Sequence, residues 1–477
     1  MPESILLFHT DQHRADSLGC GGNTICRTPN LDALAARGVL FANAFTPIAI
    51  CAPARASLLT GLYPMRHGVI NNPEFDGERL CRFRGNPPIY SQLLRGRGYR
   101  CAYVGKWHVT IDTQPSDLGF EGAFYPGYGE PQKHEAYLSY LRERGLPPYR
   151  EEITLAQTYD GRPSEFPLLG QLPCPPECAI PYFLAEQAID FLRQFARTRE
   201  RFHLRVDFWG PHLPYFLPEP YFSMYDPQQI PPWPNFAENF DGKPRIQSDY
   251  LRYWGIDRFT WKEWAPQVAG FYGAVTEIDA QIGRVLEALR ELGLEADTAV
   301  FFTADHGEMT GSHRLPDKGP YMYDEIYRVP LIAACPGRFP GRARVEDFVY
   351  NMDLMPTFLE LAGIPAPEGI DAVSLLPQLT GRPGGRKDDV VISEFEGHQI
   401  PFWQRMVRSR THKYIFNGTD VDELYDLTRD PGELVNRIDD PACAEVRRDL
   451  KARLLAWMQR CGDPLLKYYA LSRMRPA

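Results

Sequence analysis

The 477-residue chain has no apolar run approaching the roughly 20 residues that span a bilayer, which excludes a transmembrane helix. It has little that would mark a secretory leader. Glu3 precedes an apolar run of four residues, 5–8, and polar His9, Thr10 and Asp11 follow at once. The polypeptide is therefore expected to start near Met1 and to stay in the cytoplasm. Basic charge is not in excess: 52 Lys and Arg against 61 Asp and Glu leave −9. That balance argues against a nucleic-acid partner but leaves room for a local cationic pocket. Cysteine is sparse, with ten scattered along the chain, so no disulfide scaffold is expected. Cys174 and Cys178 form the one close pair, with no second pair at zinc-ribbon distance. They read as loop thiols, and most of the ten as small core residues. Internal repeats and low-complexity tracts are also missing. What remains, 44% apolar and 24% charged, is a globular composition.

The first half alternates short apolar runs with helical patterns. Residues 5–8, 39–45 and 100–104 predict buried strands, and 31–36, 53–60 and 89–94 predict helices. That rhythm implies an α/β fold with a large, mostly parallel sheet sandwiched by helices. Further on, 183–195 predicts an amphipathic helix and 202–208 a strand. The clearest helix is 271–292, with Val275, Ile278, Ile282, Val285 and Leu289 on one face. A buried strand, 299–303, and a helix, 353–361, come next. Residues 111–180 read as long loops, and 210–267 as loop-rich and aromatic, with Trp233, Trp254, Trp261 and Trp264. Residues 380–386 read as a linker. Strands at 390–394, 405–409 and 413–417, then a helix at 444–459, predict a smaller α+β domain with an antiparallel sheet. The expected division is 1–375 and 376–477. The tail from Asp463, with Leu465, Leu466, Tyr468 and Tyr469, is too apolar to hang free. It is expected to pack on the body or on another subunit, which would make a homo-oligomer.

Chemistry-bearing residues gather at the C-terminal ends of the predicted strands, the edge where open α/β sheets bind ligands. The first strand delivers Asp11 and Gln12, and the late strand Asp305 and His306. Two carboxylates, an amide oxygen and an imidazole suit a divalent cation. Cys51 stands at the start of the 53–60 helix, where free N–H groups favour anions, and Arg55 lies one turn on. A thiol phosphatase loop would need an arginine six residues after its cysteine, and Ser57 stands there. Lys106 and His108 follow the 100–104 strand, His212 follows the 202–208 strand, and Lys318 lies downstream of Asp305 and His306. With a metal and Arg55 they would line a cationic bowl for a tetrahedral oxyanion.

Cys51-x-Pro53-x-Arg55, continued by Ala56-Ser57-Leu58-Leu59-Thr60-Gly61, resembles the signature of the type I sulfatases of the alkaline phosphatase superfamily. So do Thr28-Pro29-Asn30-Leu31-Asp32-Ala33-Leu34 and Asp305-His306-Gly307-Glu308. The resemblance spans nearly the whole chain and implies an alkaline phosphatase-like mixed sheet. It implies that a formylglycine-generating enzyme oxidises Cys51 to formylglycine. It implies one divalent cation held by Asp11, Gln12, Asp305, His306 and residue 51, and sulfate-site or acid/base roles for Arg55, Lys106, His108, His212 and Lys318. The substrate would be a small anionic ester. One hydroxyl of the hydrated aldehyde would attack sulfur, with His212 or Lys318 protonating the leaving alkoxide. The other would lose its proton to His108 and expel sulfate. Two departures stand out. Asp-Asp in many sulfatases is Asp11-Gln12 here, and Asp-Asn is Asp305-His306. Both are similar to the phosphonate monoester hydrolase branch, as is Asn72, a match to a substrate-contacting asparagine. That branch lacks the Lys106-x-His108 pair. The family implies Ca²⁺, whereas one imidazole suits Mn²⁺ or Zn²⁺.

Overall fold

A computed structural model describes residues 4–73, 81–126, 131–159, 162–386, 388–467 and 469–474. Fifteen strands are described: β1 (Ser4–Thr10), β2 (Val39–Phe45), β3 (Arg100–Trp107), β4 (Glu121–Pro126), β5 (Glu152–Tyr159), β6 (Arg162–Gln171), β7 (Phe202–Asp207), β8 (Tyr215–Leu217), β9 (Thr298–Ala304), β10 (Leu331–Ala334), β11 (Ala343–Tyr350), β12 (Val390–Phe395), β13 (Gln404–Ser409), β14 (His412–Asn417) and β15 (Glu423–Asp426).

Eight of them form the central sheet in the order β11-β2-β10-β9-β1-β7-β3-β4. β10 runs antiparallel to β2 and β9, and the other pairings are parallel. The sheet is thus mixed and mostly parallel, as the βαβ rhythm requires. β1 lies between β7 and β9 and is buried along its whole length. A strand covered on both faces reads as a continuous apolar run, which is why residues 5–8 stand out in the sequence. Helices cover both faces. Tyr90–Gly96 and Leu354–Leu361 pack on one side; Pro29–Ala36, Ile180–Thr198 and Trp261–Glu291 pack on the other.

Register does the functional work. Thr10 of β1 pairs with Ala304 of β9, so the next residues, Asp11 and Asp305, leave the sheet side by side. His9 pairs with Asp207 of β7, and Gly105 of β3 pairs with the same aspartate. Gly105 has φ +110°, and a Cβ there would lie 2.0 Å from the Asp207 carbonyl oxygen, so only glycine lets β3 approach β7 so closely.

Four expectations are corrected. Residues 111–180 are not long loops. They hold β4, the helix Glu135–Glu143 and the β5–β6 hairpin, which joins β8 in a second, three-stranded sheet. The prolines and charges of β6 hide its alternation, although Tyr137, Tyr140 and Leu141 do mark the buried face of the short helix. The long helix begins at Trp261 rather than 271. Thr260 and Glu263 form a reciprocal capping box at its start, and Pro266 lies inside the helix. Cys51 is the first residue of its helix, Cys51–Thr60, rather than preceding it. β3 runs on to Trp107, so Lys106 lies within the strand.

The C-terminal sheet, β12-β13-β14-β15, is antiparallel and has one strand more than the sequence predicts. The helix Ala444–Cys461 lies against β13 and β14. β12 is tied to the body where the Glu394 N–H donates to the Pro47 carbonyl and Ser393 Oγ to that of Thr46. The tail packs on this unit. Arg473 pairs with Asp422 at 2.7 Å, Asp463 with the buried Arg405, and Met474 is buried. Tyr468, expected to help anchor it, lies outside the described residues. Seven of the ten cysteines are buried, and no described helix is long and apolar enough to cross a membrane.

Candidate active site

The parallel register brings two carboxylates together, and the start of the Cys51–Thr60 helix completes the group. One donor atom each from Asp11, Cys51, Asp305 and His306 lies within 4.8 Å of the others, and all four residues are buried. Cys51 Sγ is 3.2 Å from His306 Nε2 and 3.8 Å from Asp11 Oδ1. The His306 Nδ1 side faces the Gly307 carbonyl at 2.8 Å, which leaves Nε2 turned to the cluster. Two carboxylates, an imidazole and a sulfur in this spacing fit a divalent cation.

Arg55 sits beneath them, one turn along the same helix and fully buried. Its Nε donates to Asp305 at 2.9 Å, Nη2 to Asp11 at 2.8 Å, and Nη1 to Asp207 at 2.8 Å and to the Lys106 carbonyl at 3.3 Å. The sequence suggested a charge facing an incoming anion. The guanidinium is instead spent on three carboxylates, and so it fixes two of the four cluster residues. Burial works against its charge, yet Asp305, Asp11 and Asp207 hold its pKa well above the ordinary value. Burial alone would raise the Asp11 carboxyl. Lys106, whose Nζ is 2.7 Å away, and Arg55 hold it well below the usual range.

Behind Arg55 lies a second layer that sequence reading missed. Asp207 accepts from Arg205 Nε at 2.7 Å and stands 3.1 Å from His9 Nδ1. Asp207 ends β7 just as Asp11 follows β1, so the strand-end argument applied there would have found it.

On the other side of the cluster, Gln12 takes a left-handed backbone conformation, φ +62°. Its N–H donates to Asp305 Oδ1 at 3.0 Å, and its side-chain oxygen accepts from Lys318 Nζ at 3.0 Å. Its amide nitrogen donates to Glu308 and, at 2.7 Å, to Asp317. Burial, and then the charge of Asp317, push the Glu308 carboxyl up to about 7. Lys318 Nζ also meets His212 Nε2 at 3.0 Å. Burial and then Lys318 hold the His212 pKa well below its ordinary value, so the ring is neutral.

Asn72 accepts from the Ala52 N–H at 3.0 Å through its side-chain oxygen and so caps the start of the Cys51–Thr60 helix. His108 and His398 are both buried, and burial and then Lys318 hold the His398 pKa well below its ordinary value. His398 itself comes from the C-terminal unit, just after β12, and its Nε2 is 3.9 Å from Asp317. No local motif flags it, because it reaches the site only through docking of the second sheet. Lys106 and His212 also line a cavity whose walls include Trp209 and, from the Trp261–Glu291 helix, Ala274, Glu277 and Ile278.

Comparison with known proteins agrees with this arrangement. The sulfatase family model matches residues 3–364, and a model described as N-sulphoglucosamine sulphohydrolase, C-terminal, matches 311–460. The chain is 30% identical to the multifunctional alkaline phosphatase superfamily protein PehA of Trinickia caryophylli, over 98% of both chains. It is 28% identical to an arylsulfatase of Clostridium perfringens, over 100% of this chain and 99% of that one. Among solved structures, the phosphonate monoester hydrolase of Agrobacterium radiobacter superposes with a TM-score of 0.81 at 28% identity, covering 96% of each chain. With the family model matched along three quarters of its length and the reactive-helix signature on the metal-type cluster, the chain belongs to the sulfatase family, among the type I sulfatases of the alkaline phosphatase superfamily, and is a sulfuric ester hydrolase.

Proposed function

We propose that this protein hydrolyses a small sulfate ester at residue 51, after conversion of Cys51 to formylglycine by a maturation enzyme. The convergence of Cys51, Asp11, Asp305 and His306 within 4.8 Å carries this reading. Asp11, Gln12, Asp305, His306 and residue 51 would hold one divalent cation, Ca²⁺ by family likeness, with Mn²⁺ or Zn²⁺ suited by His306. When bound, the cation would offset the ester's negative charge and favour the ionised nucleophile. Formylglycine would supply a hydrated aldehyde, whose two hydroxyls let one attack and the other release the product.

The chain's own residues do the rest. Arg55 holds Asp11 and Asp305 in register, and Asn72 holds the start of the helix that carries residue 51. Lys106 sits between Asp11 and the cavity, where it can meet the ester's anionic oxygens. Lys318 and the neutral His212 share one hydrogen bond at the cavity wall. That pair is placed to hand a proton to the leaving alkoxide. His108 is the base for the product-releasing step.

A second reading, phosphonate monoester or phosphodiester hydrolysis at the same site, is favoured by Gln12 and His306 and by the likeness to the Agrobacterium radiobacter enzyme. Purified protein co-expressed with the maturation enzyme decides between them. kcat/KM should be higher for 4-nitrophenyl sulfate than for phenyl phosphonate esters; the reverse order would establish the second reading. Full activity with an intact Cys51 thiol would overturn both.

A further inference from the structure

The cavity beside Lys106 and His212 has a volume of about 300 Å³, and Tyr149, Phe166, Trp209 and Phe216 are among its walls. One acidic group interrupts this wall: Glu277, from the middle of the Trp261–Glu291 helix. Glu277 is 3% exposed, and among the described residues its Oε1 has no hydrogen-bond partner. Two residues on, Asp279 shows what a structural carboxylate of this helix looks like. It accepts from the Asn30 and Leu31 N–H groups and from Asn30 Nδ2, at 2.8–3.1 Å. Among the described residues Glu277 has no such set. Burying a polar group without a partner costs free energy that a ligand can recover.

We propose that Glu277 and the aromatic wall bind a cationic head on the leaving group, so that the substrate is a zwitterion. Its anionic ester lies at the Cys51 cluster and its substituted ammonium in this cavity. The inference rests on the ester-hydrolase reading above and names its substrate class. Three features carry it. The carboxyl is the one group on this wall that can neutralise a cation. The lining includes Tyr149, Phe166, Trp209 and Phe216, and aromatic rings attract a desolvated ammonium through their π faces while giving an uncharged head no comparable preference. The volume suits a compact head rather than a chain of sugars. Burial is what pushes the Glu277 carboxyl up to about 8, so an arriving ammonium would draw it into its ionised form.

The test compares choline sulfate with 3,3-dimethylbutyl sulfate, which has the same shape with carbon in place of nitrogen. Wild-type kcat/KM should favour the cationic ester by roughly tenfold or more, the scale of a desolvated cation–π and ion-pair contact. In Glu277→Gln that ratio should collapse toward one. Equal values in the wild type, or a ratio that survives the substitution, would overturn the proposal. The wild-type comparison decides alone if Glu277→Gln does not fold. Calorimetric titration with choline chloride adds a readout without turnover: binding by the wild type and its loss in Glu277→Gln support the cavity assignment. Turnover of 4-nitrophenyl sulfate reports separately on the ester-hydrolase reading. Turnover of it with no preference for choline sulfate sinks the cationic head alone; choline binding without turnover of any sulfate ester sinks the catalytic reading alone.

Discussion

Cys51 Sγ stands 3.2 Å from His306 Nε2, across 255 residues of chain. The first residue of a helix and the end of β9 meet there because β1 and β9 run in register beneath them. If residue 51 is a hydrated aldehyde, as proposed, one hydroxyl attacks the ester and the other expels the product, whereas a single hydroxyl can do only the first. Cys51→Ser is therefore expected to take up one sulfuryl group and stop. Rapid-mixing kinetics should show at most one equivalent of alcohol per chain and no steady state. Sustained turnover by Cys51→Ser would sink the two-hydroxyl requirement.

The cation is expected at one per chain by elemental analysis of the matured protein, and Asp305→Ala should lose it. His306→Asn replaces the one imidazole donor by an amide oxygen. After chelation, Ca²⁺ should then reactivate this variant better than Mn²⁺ or Zn²⁺ does, relative to the wild type.

Arg55 holds three buried carboxylates at once. Arg55→Met leaves them facing one another in a dry interior. A loss of about 3–5 kcal/mol is expected, the scale of breaking a buried ion pair by removing one partner. Urea unfolding of the metal-free proteins measures it. Arg55→Lys should recover little, because a single ammonium cannot span three partners set around a planar fork.

The proton-donor role of the Lys318–His212 pair is tested by leaving-group dependence. Lys318→Ala and His212→Ala should lower kcat by about 10²–10⁴ on an alkyl sulfate, the usual worth of general acid catalysis. The loss should be far smaller on 4-nitrophenyl sulfate, whose phenolate departs without help. An equal loss on both esters would instead mark the pair as positioning only.

His67 gives a pH prediction away from the metal-type cluster. Its Nδ1 accepts from the Val69 N–H at 3.2 Å, and its Nε2 is 2.9 Å from Ser57 Oγ. Burial pushes its pKa down from 6.5 to about 3. The unfolded chain therefore binds a proton below pH 6.5 that the folded chain refuses until about pH 3. The stability due to neutral His67 is complete above pH 6.5 and drains away as pH falls through that window. The difference in unfolding free energy between wild type and His67→Gln should shrink by about 1.4 kcal/mol per pH unit there. Urea midpoints at pH 6.5, 5.5 and 4.5 measure the slope.

How much of this is legible in the sequence depends on range. Asp11, Cys51, Lys106 and Asp305 could be read because each follows from a local pattern: a buried strand, its polar end, a helix start. Arg55 could be recognised, but not its task, because its partners Asp11, Asp207 and Asp305 come from three separate strands. His398 left no trace, since the unit that carries it docks through contacts hundreds of residues apart. The β5–β6 hairpin was missed because its prolines and charges break the alternation that marks a strand.

By itself the amino-acid sequence determined which elements form and which chemical groups stand at their ends. Apolar periodicity and helix-start chemistry act over a few residues, and so can be read locally. Only the tertiary structure decided which of those groups share a solvent-free space. The pairing of Thr10 with Ala304 sets two carboxylates side by side. The packing of one long helix leaves Glu277 Oε1 without a hydrogen-bond partner among the described residues, while Asp279, two positions on, is satisfied. Charge, pKa and proton sharing depend on distances of a few ångströms through space, and those distances are set by the packing of the whole chain.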